Sequence, residues 1–163
     1  MADKKVGSVM VIGGGIAGIQ SSLDLADSGY KVYLLEDSPA IGGTMAQLDK
    51  TFPTNDCAMC VISPKLVECG RHLNIDLMTN AELMKLEGEA GNFKAIVYQK
   101  PRFVDLDKCT GCGECATVCP IETVSIFDED LVEKTAIYKP YAQASPNAFV
   151  IDKKETAPCQ IGC

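Results

Sequence analysis

Residues 9–20 read VMVIGGGIAGIQ, and this stretch decides the fold. The apolar run 6–12 ends in glycines, and its continuous apolar character favours a strand buried on both faces. Residues 16–28 place apolar side chains at helical spacing, and Gly29 follows as a C-terminal cap. Residues 31–36 (KVYLLE) predict a second strand. A strand, a glycine turn, a helix and a strand in this order predict the first unit of a parallel, doubly wound α/β sheet.

The glycine spacing inside this unit predicts a dinucleotide site. Gly13, Gly15 and Gly18 form G-x-G-x-x-G between a predicted strand and a predicted helix, which is the context that the motif requires. The first glycine permits the turn, the second lets the backbone approach a pyrophosphate, and the third lets the helix pack closely. Glu36 ends the second strand, where a carboxylate accepts hydrogen bonds from a ribose and disfavours a 2′-phosphate. The alternative is a glycine turn that serves packing alone.

The remaining segments up to residue 100 complete a first domain. Residues 37–64 are rich in turn formers and predict a functional loop region with one short helix, and 65–72 add a helical turn or two. Residues 74–80 (NIDLMTN) predict a third strand, and 82–100 predict a hairpin.

Pro101 marks a boundary in the chain. We therefore expect a dinucleotide-binding domain over 1–100 and a small cysteine-rich module over 101–131. Residues 132–163 predict an irregular tail or the start of a further domain.

The module contains the stretch CTGCGECATVCP, residues 109–120. Its spacing, C-x2-C-x2-C-x3-C-P, is that of bacterial ferredoxins, in which thiolates converge on a cubane. Zinc, the alternative, normally uses two separated C-x-x-C pairs. The run therefore predicts a [4Fe–4S] cluster with the ligands Cys109, Cys112, Cys115 and Cys119.

The number of clusters stays open. In two-cluster ferredoxins the fourth cysteine of such a run binds the other cluster, whereas a single cluster can use all four. Nine cysteines leave room for a second cluster by count. Cys57 and Cys60 form a C-x-x-C pair that can supply cluster ligands, a redox pair or two buried thiols. The other cysteines outside the run are Cys69, which we expect to be a structural thiol, Cys159 and Cys163.

Composition excludes several classes of function. The formal net charge of −7 argues against a surface for nucleic acid or anionic lipid. No apolar run approaches the roughly 20 residues of a membrane span, and the N-terminus lacks the apolar segment of a secretory signal. We therefore expect a cytoplasmic protein with reduced cysteines, which favours metal or redox chemistry over disulfides.

The chain resembles the A component of heterodisulfide reductase and its bacterial relatives, including that of the quinone-interacting membrane-bound oxidoreductase. Gly42 and Gly43, just after Glu36, are also similar to the Gly-Gly pair of glutathione-reductase-type flavoproteins, which favours FAD as the dinucleotide. The family resemblance rests on these segments: VMVIGGGIAGIQSSLDLADSGYKVYLLE, IGGTMAQLDKTFPTNDCAMCVISPKLVECGRHLNI, GNF, KCTGCGECATVCP and AIYKPYAQASP.

The resemblance implies a Rossmann-like FAD-binding unit of the three-layer ββα type, here incomplete, followed by a ferredoxin-like module. It implies electron transfer between FAD and [4Fe–4S] clusters, with the other subunits of a heterodisulfide-reductase-like, hydrogenase or dehydrogenase complex as partners. Cys57 and Cys60 join the four cysteines of the run as candidate ligands. The candidate FAD-binding residues are Gly13, Gly14, Gly15, Ile16, Ala17, Gly18, Glu36, Gly42 and Gly43.

Two other functions are compatible with the same motifs. One is an NAD(P)H-dependent oxidoreductase related to the small subunit of glutamate synthase. The other is a non-enzymatic iron–sulfur carrier that binds no flavin. No residue is assigned a catalytic role, because the sequence offers no arrangement typical of acid–base or nucleophilic chemistry.

Overall fold

A computed structural model describes residues 7–152 of the chain. The chain divides into two compact units, Met1–Pro101 and Arg102–Cys163. Among the described residues, no helix has the length and apolar character that a membrane span needs.

The first unit is built on a three-stranded parallel sheet of order β1-β2-β3. Helix α1 lies between the first two strands in sequence and packs against β2 and α3, while α3 packs against β3. The elements are β1 (Ser8–Ile12), α1 (Ile16–Asp27), β2 (Lys31–Leu35), α2 (Gly43–Gln47), α3 (Ala58–Arg71) and β3 (Ile75–Met78). The predicted strand–turn–helix–strand unit and the parallel sheet are confirmed.

The core of this unit lies between the central strand and the two longer helices. Val32 and Leu34 of β2 are fully buried, as are Ile19 of α1 and Ile62 and Leu66 of α3. The buried positions of α3 recur every three to four residues, so one stripe of the helix faces the core.

The prediction that the first strand is buried on both faces is wrong. No residue of β1 is fully buried, and Ile12 is 62% exposed. The reason is its place in the sheet, because β1 lies at the edge and pairs with β2 alone.

The loop region predicted over 37–64 contains more regular structure than expected. Besides the short α2, the 14-residue helix α3 begins at Ala58 and continues through Pro64 to Arg71. Proline disfavours a helix interior, but burial of the apolar stripe in α3 outweighs this local preference.

A hairpin completes the first unit, as predicted. Strands β4 (Ala81–Glu89) and β5 (Asn92–Gln99) pair antiparallel, with an irregularity between Leu83 and Lys85. The turn lies at Ala90 and Gly91, and Gly91 has φ +88°.

The second unit extends beyond the predicted module. Its elements are α4 (Glu114–Thr117), β6 (Glu122–Val124), a 3-10 helix (Ile126–Asp128), β7 (Glu133–Thr135), β8 (Ile137–Tyr138) and β9 (Val150–Ile151). β7 pairs with β6, so a boundary at residue 131 would separate these two paired strands. β8 pairs with β9. The core of the unit, Ala136, Ile137, Phe149 and Ile151, comes from the segment predicted to be an irregular tail.

Candidate cofactor sites

The glycine turn joins β1 to α1, and its geometry explains two of its glycines. Gly13 has φ +98°, a conformation that side chains disfavour, and its N–H donates to the Leu35 carbonyl. A Cβ built on Gly18 would lie 1.8 Å from the Gly13 carbonyl oxygen. Gly18 therefore permits the close approach of helix and turn that a dinucleotide fold requires.

The space in front of Gly15, where a side chain would point, is open. A Cβ built there meets no atom within 4 Å, and Gly15 caps α1 without a side-chain hydrogen bond. The first turn of α1, which includes Ile16 and Ala17, carries no acidic side chain. The positive end of the 12-residue helix is thus available to a pyrophosphate.

Glu36 is held at the end of β2 by hydrogen bonds from two segments. Its Oε2 accepts from the Gly14 N–H, and its Oε1 accepts from the N–H and the hydroxyl of Ser38, at 2.9 and 2.6 Å. The residue is 9% exposed. A carboxylate oxygen has two lone-pair sites, so the carboxylate can accept a further hydrogen bond from a ribose.

Gly42 and Gly43 pack against the same turn. The Gly42 N–H donates to the Gly14 carbonyl at 2.7 Å. A Cβ on Gly43 would lie 3.0 Å from the Gly15 Cα, and Gly43 has φ +55°. The structure thus brings together the glycine turn, Glu36 and the Gly-Gly pair, and the absence of side chains at these glycines fits a dinucleotide cradle.

We predict that Glu36→Gln lowers the affinity of the chain for FAD by a factor of about ten. The amide replaces a charged acceptor in a buried site, and hydrogen bonds to charged groups are worth about 1.5–3 kcal/mol. Titration of the flavin-free chain with FAD, followed by flavin fluorescence, measures the change. Asp37→Asn removes the neighbouring exposed carboxylate and is the matched control. Equal affinities of Glu36→Gln and the unaltered chain would contradict the prediction.

The cysteine run includes α4, which contains Cys115. Gly111 and Gly113 have φ +72° and +94°, and Gly113 is the N-cap of α4. A Cβ on Gly111 would lie 2.8 Å from the Asn147 Oδ1, so this glycine also permits a close contact. Cys109, Cys115 and Cys119 pack against the apolar core of the unit, whereas Cys112 is exposed.

Backbone N–H groups point at several of these sulfurs. The Phe149 N–H donates to the Cys109 Sγ at 3.4 Å. The Glu114 N–H and the Thr110 hydroxyl lower the pKa of Cys112. Burial raises the pKa of Cys115. Burial also acts to raise the pKa of Cys119, but hydrogen bonds from the backbone outweigh it, and the net pKa of Cys119 is lowered. Such donors to sulfur are a feature of iron–sulfur sites.

The set of donors fits a cubane. Four thiols lie on one short loop, and three of them border an apolar core. In the described part of the chain, no three His, Cys, Asp or Glu side chains lie close enough to share a single metal ion. A [4Fe–4S] cluster would take one thiolate on each iron, and the run supplies four thiols.

Cys57 and Cys60 lie in the first unit, at the start of α3. Cys57 is the N-cap, and its sulfur accepts hydrogen bonds from the Cys60 N–H at 3.2 Å and the Cys60 thiol at 2.6 Å. The hydrogen bond from the Cys60 thiol lowers the pKa of Cys57 and raises that of Cys60. Both thiols are exposed, so they are accessible to a ligand or a redox partner.

We predict that Cys57 is alkylated at lower pH than Cys69 in the metal-free chain. Thiolates are the reactive form, and the pKa of Cys57 is lowered, whereas burial raises the pKa of Cys69 to about 11. Iodoacetamide labelling across pH, read by peptide mass spectrometry, gives the order. Reaction of Cys69 before Cys57 would contradict it. Protection of Cys57 and Cys60 that depends on bound iron would indicate that they are ligands.

The comparisons with known proteins match the segments that contain the glycine turn and the cysteine run. The FAD dependent oxidoreductase family matches residues 8–61, and the 4Fe-4S binding domain family matches residues 102–125. The iron-sulfur component A of a CoB–CoM heterodisulfide reductase from Methanopyrus kandleri is 56% identical over 142 residues, or 87% of this chain and 22% of that protein. The chain is homologous to part of the A component of heterodisulfide reductase.

Other heterodisulfide reductase A components show the same relation. The one from Methanocaldococcus jannaschii is 54% identical over 94% of this chain and 23% of its own length. A protein from Archaeoglobus profundus that is named as like the A component is 53% identical over 88% of this chain and 21% of its own length. The chain thus spans about a fifth of the length of these relatives.

Homology to the A component of heterodisulfide reductase and the two family matches confirm the predicted cofactor classes, FAD and a [4Fe–4S] cluster. They also confirm the α/β FAD-binding fold with a ferredoxin-like module, and the relatives are named as subunits of reductases. Which residues bind FAD and which bind the cluster stays a prediction. Cys159 and Cys163, which we considered for a second cluster, lie outside the described residues.

Several residues that shape the two sites were not singled out from the sequence. Ser38 fixes Glu36, and its position two residues after an acidic side chain is a common pattern of local hydrogen bonding. Asn147 and Phe149 contact the cysteine loop from 36 or more residues away in sequence, and no local pattern indicates such contacts.

Proposed function

We propose that the chain is an electron-transfer subunit that passes electrons between FAD and a [4Fe–4S] cluster within a heterodisulfide-reductase-like complex. The observation that carries the proposal is that one chain homologous to these subunits combines an open glycine cradle with a four-cysteine ferredoxin loop. FAD supplies exchange between two-electron and one-electron chemistry, and an iron–sulfur cluster accepts one electron at a time.

The first unit would hold the flavin nucleotide. Gly13, Gly14 and Gly15 with Ile16, Ala17 and Gly18 form the turn and the helix start that bind the pyrophosphate. Glu36 binds the ribose, and Gly42 and Gly43 complete the wall of the cradle. The close packing of Gly43 on Gly15 and the buried carboxylate of Glu36 support these roles.

The second unit would hold the cluster through Cys109, Cys112, Cys115 and Cys119. Their spacing and the N–H donors to their sulfurs support this ligand set. Cys57 and Cys60 would be ligands of a second cluster, for which their exposure at the start of α3 leaves room.

The partners we propose are other subunits of a cytoplasmic redox complex. Homologues of the chain are named as subunits of heterodisulfide reductases, which supports a multi-subunit setting. The chain would exchange electrons with these subunits, and the site of substrate chemistry would lie on one of them.

Anaerobic photoreduction of the purified chain tests the proposal. We expect the flavin absorbance to bleach and the electron paramagnetic resonance (EPR) signal of a reduced cluster to appear in the same sample. NADH should not reduce a dye through the chain without a partner. Dye reduction by NADH alone would favour the glutamate-synthase-type alternative, and a cluster signal without bound flavin would favour the carrier alternative.

A further inference from the structure

Arg102 is a buried cation at the start of the second unit. The residue is 9% exposed. Burial lowers the pKa of its guanidinium, and negative charge on Tyr138 and Cys109 raises it. An arginine stays protonated at neutral pH because its ordinary pKa is far above 7. The unit thus keeps a positive charge inside.

The contacts of Arg102 lead to the same cysteine. Its Nη1 donates to the Phe149 carbonyl at 3.4 Å, and its own carbonyl accepts from the Ile151 N–H at 3.2 Å. Phe149 in turn donates its N–H to the Cys109 Sγ at 3.4 Å. Side chain and main chain of Arg102 therefore hold the segment whose N–H is directed at the Cys109 sulfur.

We propose that Arg102 raises the reduction potential of the cluster on the cysteine run, through its charge and through Phe149. Reduction adds one electron to the cluster and makes it more negative. A cation in a poorly hydrated interior stabilises added negative charge more than one in water does. Hydrogen bonds to the ligand sulfurs act in the same direction, since they too offset negative charge.

Lys108 and Lys134 are two other cations of this unit. The Lys108 side chain is next to Cys109 in sequence but 84% exposed, and it pairs with Asp105. Lys134 pairs with Asp152 and lies 3.0 Å from the centroid of the Tyr138 ring. Solvent screens the charge of Lys108. Replacement of Lys108 is therefore the matched control, because it removes a charge that is next to Cys109 in sequence but exposed.

The test is the midpoint potential of the cluster in the anaerobically reconstituted full chain, measured by EPR-monitored redox titration. For Arg102→Gln, which is neutral and still a hydrogen-bond donor, we expect the ratio of reduced to oxidised cluster at a fixed potential to fall by a factor of about ten. That equals a decrease of about 59 mV for one electron. Arg102→Lys keeps the charge and should stay within a factor of about three of the unaltered chain. Lys108→Met should do so as well.

An unchanged potential in Arg102→Gln, or an equal decrease in Lys108→Met, would overturn the proposal. Where Arg102→Gln does not load iron, Arg102→Lys decides. Loading with a near-normal potential supports a role of the charge, and a lost cluster or a strongly shifted potential overturns it. The inference rests on the proposed function, because it takes Cys109 as a ligand. Failure of the unaltered chain to bind iron and sulfide would reject that function, whereas normal loading with unaffected potentials would reject the role of Arg102 alone.

Discussion

Gly18→Ala is expected to destabilise the chain by about 3 kcal/mol, the upper end of the usual range for overpacking, and to abolish FAD retention. The new Cβ would lie 1.8 Å from the Gly13 carbonyl oxygen and 3.1 Å from its carbon. Both atoms belong to the backbone of the turn, so α1 must move away from the strand. This movement would displace the N–H groups that the pyrophosphate needs. Urea unfolding followed by circular dichroism measures the stability, and flavin release measures retention.

Gly15→Ala is the matched control for this prediction. Its Cβ meets nothing within 4 Å, and its φ of −74° suits an alanine. We expect a loss of stability below about 1 kcal/mol, but weaker FAD binding, because the methyl group fills the space that a pyrophosphate would occupy. Equal stability of Gly18→Ala and Gly15→Ala would contradict the close approach in the structure.

Cys112→Ser is expected to remove the cluster of the run, that is, about four irons and four acid-labile sulfides per chain. Serine is a poor ligand for iron in these clusters, which are held by thiolates. Cys112 is the exposed member of the run and does not pack against the core. Its replacement should therefore leave the folding of the second unit intact and report on the cluster alone. Iron and sulfide analysis after anaerobic reconstitution measures the effect.

Cys60→Ser is the control for an exposed thiol outside the run. We expect it to retain the cluster of the run, so that about four irons stay bound. If Cys60→Ser and Cys112→Ser lost the same iron while the circular dichroism spectra stayed unchanged, a single cluster would draw ligands from both units. The ligand set proposed for the run would then be wrong.

The dinucleotide site could be predicted from the sequence because its determinants are local. Gly13, Gly15 and Gly18 fall within six residues, and the strand and helix around them are marked by apolar spacing. Glu36 could be placed because it ends the next strand. The edge position of β1 was missed, since a continuous apolar run indicates burial without telling which neighbours a strand has.

The support of the cysteine run could not be predicted in the same way. Phe149 reaches Cys109 across 40 residues, and the core residues Ala136 and Ile137 belong to a stretch of very short strands whose sequence has no clear period. The first half of helix α3, residues 58–64, was missed for a different reason, whereas the helical turns expected over 65–72 overlap its second half. Pro64 and the turn formers before it dominate the local pattern, while burial of Ile62 and Leu66 in the tertiary structure decides the outcome.

The most direct measurement is the cofactor content of the anaerobically purified chain: iron, acid-labile sulfide, zinc and released flavin. We predict about four irons and four sulfides with one FAD per chain, or about eight irons if Cys57, Cys60 and the tail cysteines Cys159 and Cys163 hold a second cluster. Zinc in place of iron and sulfide would contradict the electron-transfer function. Iron and sulfide without flavin would contradict the role of the glycine cradle and leave the chain as a cluster carrier.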